Sequence, residues 1–215
     1  MYKSNNISNS VIRRLPRYYR FLGQLLKQNV TKISSRELSE RMRVTASQIR
    51  QDLNCFGGFG QQGYGYNVEA LRDEIAKIIG IDKQLKAILI GAGNLGRAIT
   101  MHLDFEKNGC KLIGIFDNNL AIENLQIANL PISHINNLKN FCLKEKPDIA
   151  ILCIPRDSAK EIVQNLIDLN VKAFWNFSHY DINLEFDDII VENVHLSDSL
   201  LTLAYNVNNQ IDRQD

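Results

Sequence analysis

The spacing of apolar residues changes along the chain, from helical periodicity near its beginning to short continuous runs further on. The first periodic stretch predicts an amphipathic helix capped by Ser10. Its apolar positions are Ile12, Leu15, Tyr19, Leu22 and Leu26. A last periodic stretch, Leu196 to Val207, predicts a C-terminal helix with little of the chain left to cover its apolar face. We expect this helix to pack against a second subunit, or else to fold back on its own domain.

Two helices separated by a short turn are predicted next. Ser34-x-x-Glu37 and Thr45-x-x-Gln48 are capping boxes that begin them, and the second helix runs from Ala46 to about Phe56. In that helix Ile49 and Leu53 are one turn apart and face the core. The side chains left on its outer face are Ser47, Gln48, Arg50, Gln51 and Asn54. Amides and a guanidinium on one exposed face are typical of a helix-turn-helix that reads DNA, and an ordinary three-helix bundle is the alternative.

A segment of glycines interleaved with aromatic residues follows, from Phe56 to Tyr66. Its glycines at 57, 58, 60, 63 and 65 exclude a regular helix. The aromatic side chains favour a packed hairpin or wing over a flexible linker. After it, Asn67 is expected to cap a helix over Val68 to Ile79, which Gly80 ends.

The apolar run Ala87 to Ile90 enters Gly-x-Gly-x-x-Gly at Gly91, Gly93 and Gly96. In such a turn the first glycine permits a tight exit from a strand, the second lets backbone N–H groups approach a pyrophosphate, and the third lets a helix pack closely. A second apolar run ends on Asp117, where an acid would bind the ribose hydroxyls of NAD(H) and repel the 2′-phosphate of NADP(H). A glycine-rich turn without a ligand is the alternative.

Further runs predict a doubly wound parallel sheet of six strands with intervening helices. One of them, Asp148 to Ile154, is stopped by Pro155. In dinucleotide folds the loop after the fourth strand borders the nicotinamide ribose, so Ile154 and Pro155 are further candidate cofactor contacts.

Charge divides the chain in two although its net charge is only +1. Residues 1–84 carry 14 Lys and Arg against 7 Asp and Glu, whereas the remaining residues carry 11 against 17. A basic first domain suits a polyanion, and an acidic remainder argues against a general nucleic-acid coat.

No apolar run is long enough to span a bilayer, and the first residues lack the pattern of a signal peptide, so we expect a cytoplasmic protein. The four cysteines are scattered, which indicates neither disulfides nor a zinc site.

The combination resembles the Rex family of redox-sensing transcriptional repressors over nearly the whole chain. The segments that carry the resemblance are Arg14–Arg20, Val44–Leu53, Gly63–Tyr66, Ala87–Gly96, Ile151–Pro155 and Asn176–Phe177. The resemblance implies a homodimer that binds operator DNA when the NADH/NAD⁺ ratio is low and releases it when NADH binds.

Several positions depart from the family pattern, including Asn176-Phe-Ser-His179 where the family usually has Asn-Phe-Ala-Pro. The recognition helix usually has Arg-Lys where this chain has Arg50-Gln51, and the wing usually offers an arginine where it has Gln62. Because each lost phosphate contact weakens binding and flattens its salt dependence, we expect weaker or differently targeted DNA binding. The redox switch of the family uses an arginine matched by Arg20, together with an aspartate and a tyrosine whose positions here are His195 and His102. The Arg–Asp pair of the family therefore cannot form, which bears on discrimination between NADH and NAD⁺.

These observations predict an α/β protein with a winged-helix domain at residues 1–84, a Rossmann domain at 85–194 and a dimer-exchange helix with its tail at 195–215. The expected DNA-binding residues are Ser34, Ser35, Thr45, Ser47, Gln48, Arg50, Gln51, Gln62 and Gly63. The expected cofactor-binding residues are Gly91, Ala92, Gly93, Asn94, Leu95, Gly96, Asp117, Ile154 and Pro155. The alternative function is an NAD-dependent dehydrogenase with a basic extension. Against it, the sheet leaves no residues for a substrate domain, and no motif places a group for proton transfer.

Overall fold

The computed structural model describes residues 7–57 and 65–211, which divide into one compact unit up to Lys83 and a second from Gln84. Each unit has its own buried core. The elements of the first unit are α1 (Asn9–Ile12), α2 (Leu15–Lys27), β1 (Lys32–Ile33), α3 (Ser35–Met42), α4 (Ala46–Asn54), β2 (Tyr66–Asn67) and α5 (Val68–Ile79).

The first predicted helix is interrupted, and the expected cap at Ser10 is wrong. Ser8 precedes α1, and α2 begins only at Leu15, with a proline in its first turn. In a continuous helix the residue at 16 would donate its N–H to the carbonyl of Ile12, which Pro16 cannot do. The buried face of α2 also differs from the prediction at two positions. Tyr18 is buried instead of Tyr19, and Leu25 instead of Leu26, while the two predicted residues are only partly buried.

The predicted pair of short helices is confirmed in α3 and α4. Ser34 and Glu37 form a complete capping box at the start of α3. The turn between the helices contains Arg43 in the left-handed conformation, with φ of 54°. On α4, Ile49 and Leu53 are buried as expected. The two helices therefore share one core with α2 and α5.

Two short strands form a pair, one before α3 and the other at the end of the glycine-rich segment. β1 pairs with β2 in antiparallel fashion, with Ile33 opposite Tyr66. Gly65 has a φ of 72°, and a Cβ there would lie 2.8 Å from the carbonyl oxygen of Ile33, so this position requires glycine. The tip of the expected wing, including Phe59, Gln62, Gly63 and Tyr64, lies outside the described residues. Asn67 and Gly80 cap the two ends of α5 as predicted.

The second unit is a sheet with helices between its strands. Its elements are β3 (Leu85–Ile90), α6 (Asn94–His102), β4 (Cys110–Asp117), β5 (Gln126–Ile127), β6 (Leu130–His134), α7 (Leu138–Glu145), β7 (Ile149–Leu152), α8 (Arg156–Asp168), β8 (Ala173–Asn176), β9 (Ile190–Asn193) and α9 (Leu196–Ile211). The strand order is β5-β6-β4-β3-β7-β8-β9. All neighbouring pairs are parallel except β5 with β6 at one edge.

The six parallel strands have the order of the doubly wound dinucleotide fold. β3 lies between β4 and β7, so the chain moves to one side of β3 first and to the other side afterwards. Ligands bind at such a topological switch point, outside the carboxyl ends of the strands. The core on both sides of the sheet contains fully buried residues of β3 and β7, such as Ile88, Leu89 and Leu152.

The last helix, α9, keeps its apolar side chains exposed. Leu200, Leu201 and Leu203 are 65%, 67% and 59% exposed, and Tyr205 is 67% exposed. The prediction of an uncovered apolar face is confirmed for these described residues.

Candidate functional site

The glycine turn after β3 has the geometry that its sequence predicts. Gly91 has a φ of 98°, and a Cβ at this position would overlap the carbonyl oxygen of Cys153 in the loop after β7. A Cβ at Gly96 would overlap the carbonyl oxygen of Gly91 and lie 3.1 Å from the side chain of Leu89. These two glycines therefore bring α6 and the loop after β7 against the end of β3.

Gly93 differs from these two because it faces open space. It precedes the first residue of α6 with ordinary extended backbone angles, φ −70° and ψ −168°. Apart from its two chain neighbours, none of the described residues places an atom within 4 Å of the position that a Cβ would occupy. The unpaired N–H groups at the start of α6 and the positive end of its dipole favour an anion at this place.

Asp117, at the carboxyl end of β4, is tied to the same turn. Its Oδ2 accepts a hydrogen bond of 2.7 Å from the backbone N–H of Ala92, and its Oδ1 accepts one of 2.8 Å from Asn119. Each carboxylate oxygen has a further lone pair for a ligand hydroxyl. Arg97, which sequence reasoning missed, holds the turn from the other side, since its Nε donates to the carbonyl of Ala92 at 2.9 Å. A cation in the first turn of α6 could have been read from the sequence.

A cavity of about 490 Å³ opens at the switch point. Five predicted cofactor residues line it: Gly91, Gly93, Asp117, Ile154 and Pro155. Its other lining residues are Ile90, Asn118, Ile135, Cys153, Asp157, Ser158, Glu161 and Ile162. Two larger hollows, of about 680 and 600 Å³, lack the glycine turn: one lies at the amino ends of β7, β8 and β9, and the other between α7 and α8.

The remaining predicted cofactor residues lie beside the cavity rather than on its lining. Ala92 is 1% exposed and its N–H is already bonded to Asp117, and Gly96 packs against Gly91. Asn94 and Leu95 form the exposed first turn of α6. Ala92 and Gly96 therefore shape the turn, whereas Asn94 and Leu95 present N–H groups at the start of the helix.

The buried Cys142 and the half-buried Cys153 are poor nucleophiles near neutral pH. Burial raises the pKa of Cys153 to about 12 and that of Cys142 to about 11, so both stay protonated near neutral pH. The thiol of Cys153 is therefore an apolar wall of the cavity.

The expected DNA-binding residues of α3 and α4 lie at the start of each helix and along α4. Ser34 and Thr45 cap the two helices, each accepting a backbone N–H at 3.1 Å. Arg50 is exposed, and its Nη1 donates to the hydroxyl of Ser35 at 3.0 Å, which joins α4 to the start of α3. Ser47 and Gln51 are exposed as well. Because a capping hydroxyl still has its own hydrogen to donate, this face carries several donors for phosphate oxygens.

Sequence reasoning missed a buried carboxylate on α4. Asp52 is 1% exposed and accepts two hydrogen bonds from Arg14, at 2.6 and 2.8 Å, and one of 2.7 Å from the hydroxyl of Tyr18. Gln48 adds a fourth, from its side-chain amide at 2.8 Å. Gln48 therefore completes only half of the expected capping box with Thr45. Burial opposes ionisation, but the hydrogen bonds from Arg14, Tyr18 and Gln48 outweigh it and lower the pKa of Asp52.

The residues implied for the redox switch lie on different units. Arg20 is an exposed residue of α2 in the first unit, and His102 is the exposed last residue of α6 in the second. His195 is half-buried, and its Nδ1 lies 2.8 Å from Nδ1 of His179. Sequence reasoning missed this contact between His179 and His195. No sequence motif signals this pair, because it forms between the loop after β8 and the residue before α9.

Comparison with known proteins bears on both units. Residues 6–54 match the family described as "Putative DNA-binding protein N-terminus", and residues 82–180 match the CoA binding domain. A redox-sensing transcriptional repressor Rex of Thermoanaerobacter pseudethanolicus is 54% identical over 98% of this chain and 93% of its own length. The Rex protein of Clostridium novyi is 50% identical over 97% of this chain and 99% of its own length. This chain belongs to the Rex family of redox-sensing transcriptional repressors.

Solved structures of a Rex-family repressor called RSP have the same fold. RSP in complex with NAD⁺ and operator DNA matches with a TM-score of 0.90 and 52% identity, over 98% of this chain and 97% of RSP. RSP in complex with NADH matches with a TM-score of 0.89 and 49% identity, over 98% and 99%. The expected fold, a DNA-binding domain followed by a Rossmann sheet, is confirmed. The Rex relatives are named as repressors rather than enzymes, so the dehydrogenase alternative is not favoured.

Within residues 7–57 and 65–211, the structure contains no helix that combines the length and apolarity needed to cross a membrane.

Proposed function

We propose that this chain represses transcription by binding operator DNA through the exposed face of α4, and that NADH in the cavity at the switch point releases it. The observation that carries this proposal is the open space at Gly93, beside the start of α6 and the carboxylate of Asp117, in a chain that also contains a helix-turn-helix. RSP, a Rex-family repressor, supports the same pairing of ligands, with structures in complex with operator DNA and with NADH.

In the cavity, the pyrophosphate of the dinucleotide is held at the start of α6 and its adenosine ribose at Asp117. The carboxylate favours NAD(H) because the neighbouring Asn118 supplies no cation for a 2′-phosphate. The nicotinamide end then lies toward Ile154 and Pro155, which line the same cavity from the end of β7. Both NADH and NAD⁺ are ligands of this site, and they differ in the charge of the nicotinamide ring.

On the first unit, Arg50 contacts base edges or phosphates, and the capping hydroxyls of Ser34 and Thr45 contact phosphates. Gln62 and Gly63, in the wing, belong to the same proposal by resemblance. The excess of positive charge in residues 1–84 supports binding to a polyanion. Because positions 51 and 62 hold glutamines rather than cations, DNA affinity should depend less steeply on salt than it would with the Arg-Lys pattern.

The functional form is a cytoplasmic homodimer in which α9 provides a large part of the subunit contact. Its exposed leucines and Tyr205 form an apolar surface of the kind that a second copy of the chain would cover. A dimer also matches a palindromic operator, because two recognition helices then meet two half-sites.

Redox sensing is assigned to Arg20, His102 and His195, although two of these are imidazoles where the family has a phenol and a carboxylate. For NADH to lower operator affinity tenfold, the coupling between the two sites must be about 1.4 kcal/mol, within the usual range for allostery. The histidines change the size of this coupling, and titrations with each cofactor measure it.

The deciding experiment is fluorescence anisotropy of the full chain on a palindromic operator duplex, titrated separately with NADH and NAD⁺ at fixed salt. Release by NADH alone supports the proposal, whereas tight binding indifferent to both cofactors contradicts it.

Arg50→Ala should abolish operator binding and keep NADH affinity. Loss of both would show that the binding roles are assigned to the wrong units, and NADH-dependent turnover of 2-oxo acids would support the dehydrogenase instead.

A further inference from the structure

Gln48 is a half-buried side chain of α4 whose amide orientation is set by a buried carboxylate. Its Nε2 donates to Oδ1 of the buried Asp52 at 2.8 Å, one turn further along the helix. A carboxylate can only accept hydrogen bonds, so the amide nitrogen must face Asp52. A rotation of the amide by 180° would place its oxygen against the carboxylate. The backbone N–H of the same residue is held by the Thr45 hydroxyl at 3.1 Å.

The carboxylate that orients Gln48 is itself rigidly held. Arg14 donates to both of its oxygens, at 2.6 and 2.8 Å, and Tyr18 donates to Oδ2 at 2.7 Å. These partners come from α2 and the residue before it, so the orientation of Gln48 is set by a different part of the core from α4. By contrast, Gln51 is exposed, and it is the backbone carbonyl of Gln51, rather than its side-chain amide, that accepts a hydrogen bond from the Cys55 thiol.

We propose that Asp52 is a positioning residue that makes Gln48 an adenine reader in the DNA complex. With the nitrogen committed to Asp52, Gln48 offers its carbonyl oxygen as an acceptor and the second N–H as a donor. In the major groove adenine presents a donor at N6 and an acceptor at N7, which complement both groups. Cytosine offers only a donor, whereas guanine presents two acceptors and thymine an acceptor and a methyl group. The inference rests on the proposed placement of α4 in the groove.

The test is a base-preference scan with the full chain. An operator duplex is first selected from random sequence with the wild-type protein, and every position of its half-site is then replaced by each other base pair. Competition anisotropy at one salt concentration measures the relative affinities for the wild type, Gln48→Ala, Asp52→Asn, Gln51→Ala, Arg50→Ala and Tyr18→Phe. Thermal unfolding of each variant is measured in parallel.

The wild type should prefer adenine at one position of the half-site by roughly tenfold or more. Gln48→Ala should remove the preference at that position and leave the others. Asp52→Asn should remove the same preference while Gln48 is intact, because an asparagine amide can meet Gln48 with either end. Tyr18→Phe removes another hydrogen bond to the same carboxylate, so it should lower thermal stability and keep the preference.

An unchanged preference in Gln48→Ala would overturn the inference. A loss spread equally over all positions in both Asp52→Asn and Tyr18→Phe would show that Asp52 acts only through the fold. If Asp52→Asn does not fold, Gln48→Glu replaces it. Repulsion between the introduced carboxylate and that of Asp52 should turn the new side chain away, so the adenine preference should again be lost. Retention of the preference would refute the proposal. If Arg50→Ala and Gln51→Ala are also without effect on any duplex, the placement of α4 itself fails.

Discussion

Gly93→Ala should separate cofactor binding from folding. The φ of Gly93 is −70°, which alanine adopts readily, and apart from its chain neighbours none of the described residues lies within 4 Å of the new Cβ. An alanine cap is worse than glycine by about 0.5–1 kcal/mol, and the reduced freedom of the unfolded chain offsets about 0.4–1 kcal/mol. The free energy of unfolding should therefore change little.

The same methyl group projects into the space proposed for the pyrophosphate. It should break at least one hydrogen bond from a backbone N–H to a charged phosphate oxygen, each contributing about 1.5–3 kcal/mol. Because about 1.4 kcal/mol is tenfold in affinity, NADH should bind at least about tenfold more weakly. Calorimetric titration with NADH measures this loss, and the fluorescence of Trp175, which lies on β8 in the second unit, reports chemical unfolding of that unit.

Two other glycines provide matched controls. Gly96→Ala should reduce both stability and NADH affinity, because its Cβ overlaps the Gly91 carbonyl and overpacking costs about 1–3 kcal/mol. Gly23→Ala, inside α2 and 3.5 Å from the Arg72 side chain, should leave NADH affinity unchanged and stabilise the first unit by up to about 1 kcal/mol. Wild-type NADH affinity in Gly93→Ala would refute the placement of the phosphates at α6.

Three further predictions follow from the structure. Leu200→Asp together with Leu203→Asp should convert the proposed dimer to monomers in light scattering, and a dimer that survives would remove α9 from the subunit contact. Since the folded pKa of Asp52 is lowered, its stabilisation should be complete above about pH 4, the ordinary range of the carboxyl, and be lost as the pH falls through the folded pKa. Acid denaturation should show this dependence in the wild type but not in Asp52→Asn. Asp117→Ser combined with Asn118→Arg should shift preference from NADH toward NADPH, and an unchanged ratio of the two affinities would show that the ribose is bound elsewhere.

Local sequence determined much of the fold. Apolar periodicity, capping residues and glycines placed α3, α4, α5 and most strands within a few residues, because these signals act between neighbours along the chain. The break between α1 and α2 shows the limit of prediction from periodicity. Periodicity alone predicted one helix, although Pro16 carried the information needed to expect the interruption.

The residues of the candidate site likewise fall into those that the sequence predicts and those that it does not. Gly91, Gly93, Gly96 and Asp117 are recognisable from their spacing, since each has a function set by backbone geometry near its own strand or helix. Contacts between distant segments had no such signal. The buried pair of Arg14 and Asp52 joins residues 38 positions apart, and His179 meets His195 between two loops.

By itself, the sequence determined that a basic helix-turn-helix precedes a dinucleotide fold, because amphipathic spacing, caps and the glycine turn depend on near neighbours. Only the tertiary structure decided which polar side chains are oriented for recognition. The order of the strands opens the cavity beside Gly93, and the packing of α2 against α4 buries Asp52 and turns the amide of Gln48. Both depend on contacts between elements distant along the chain, whose side chains acquire a defined direction only once the core is packed.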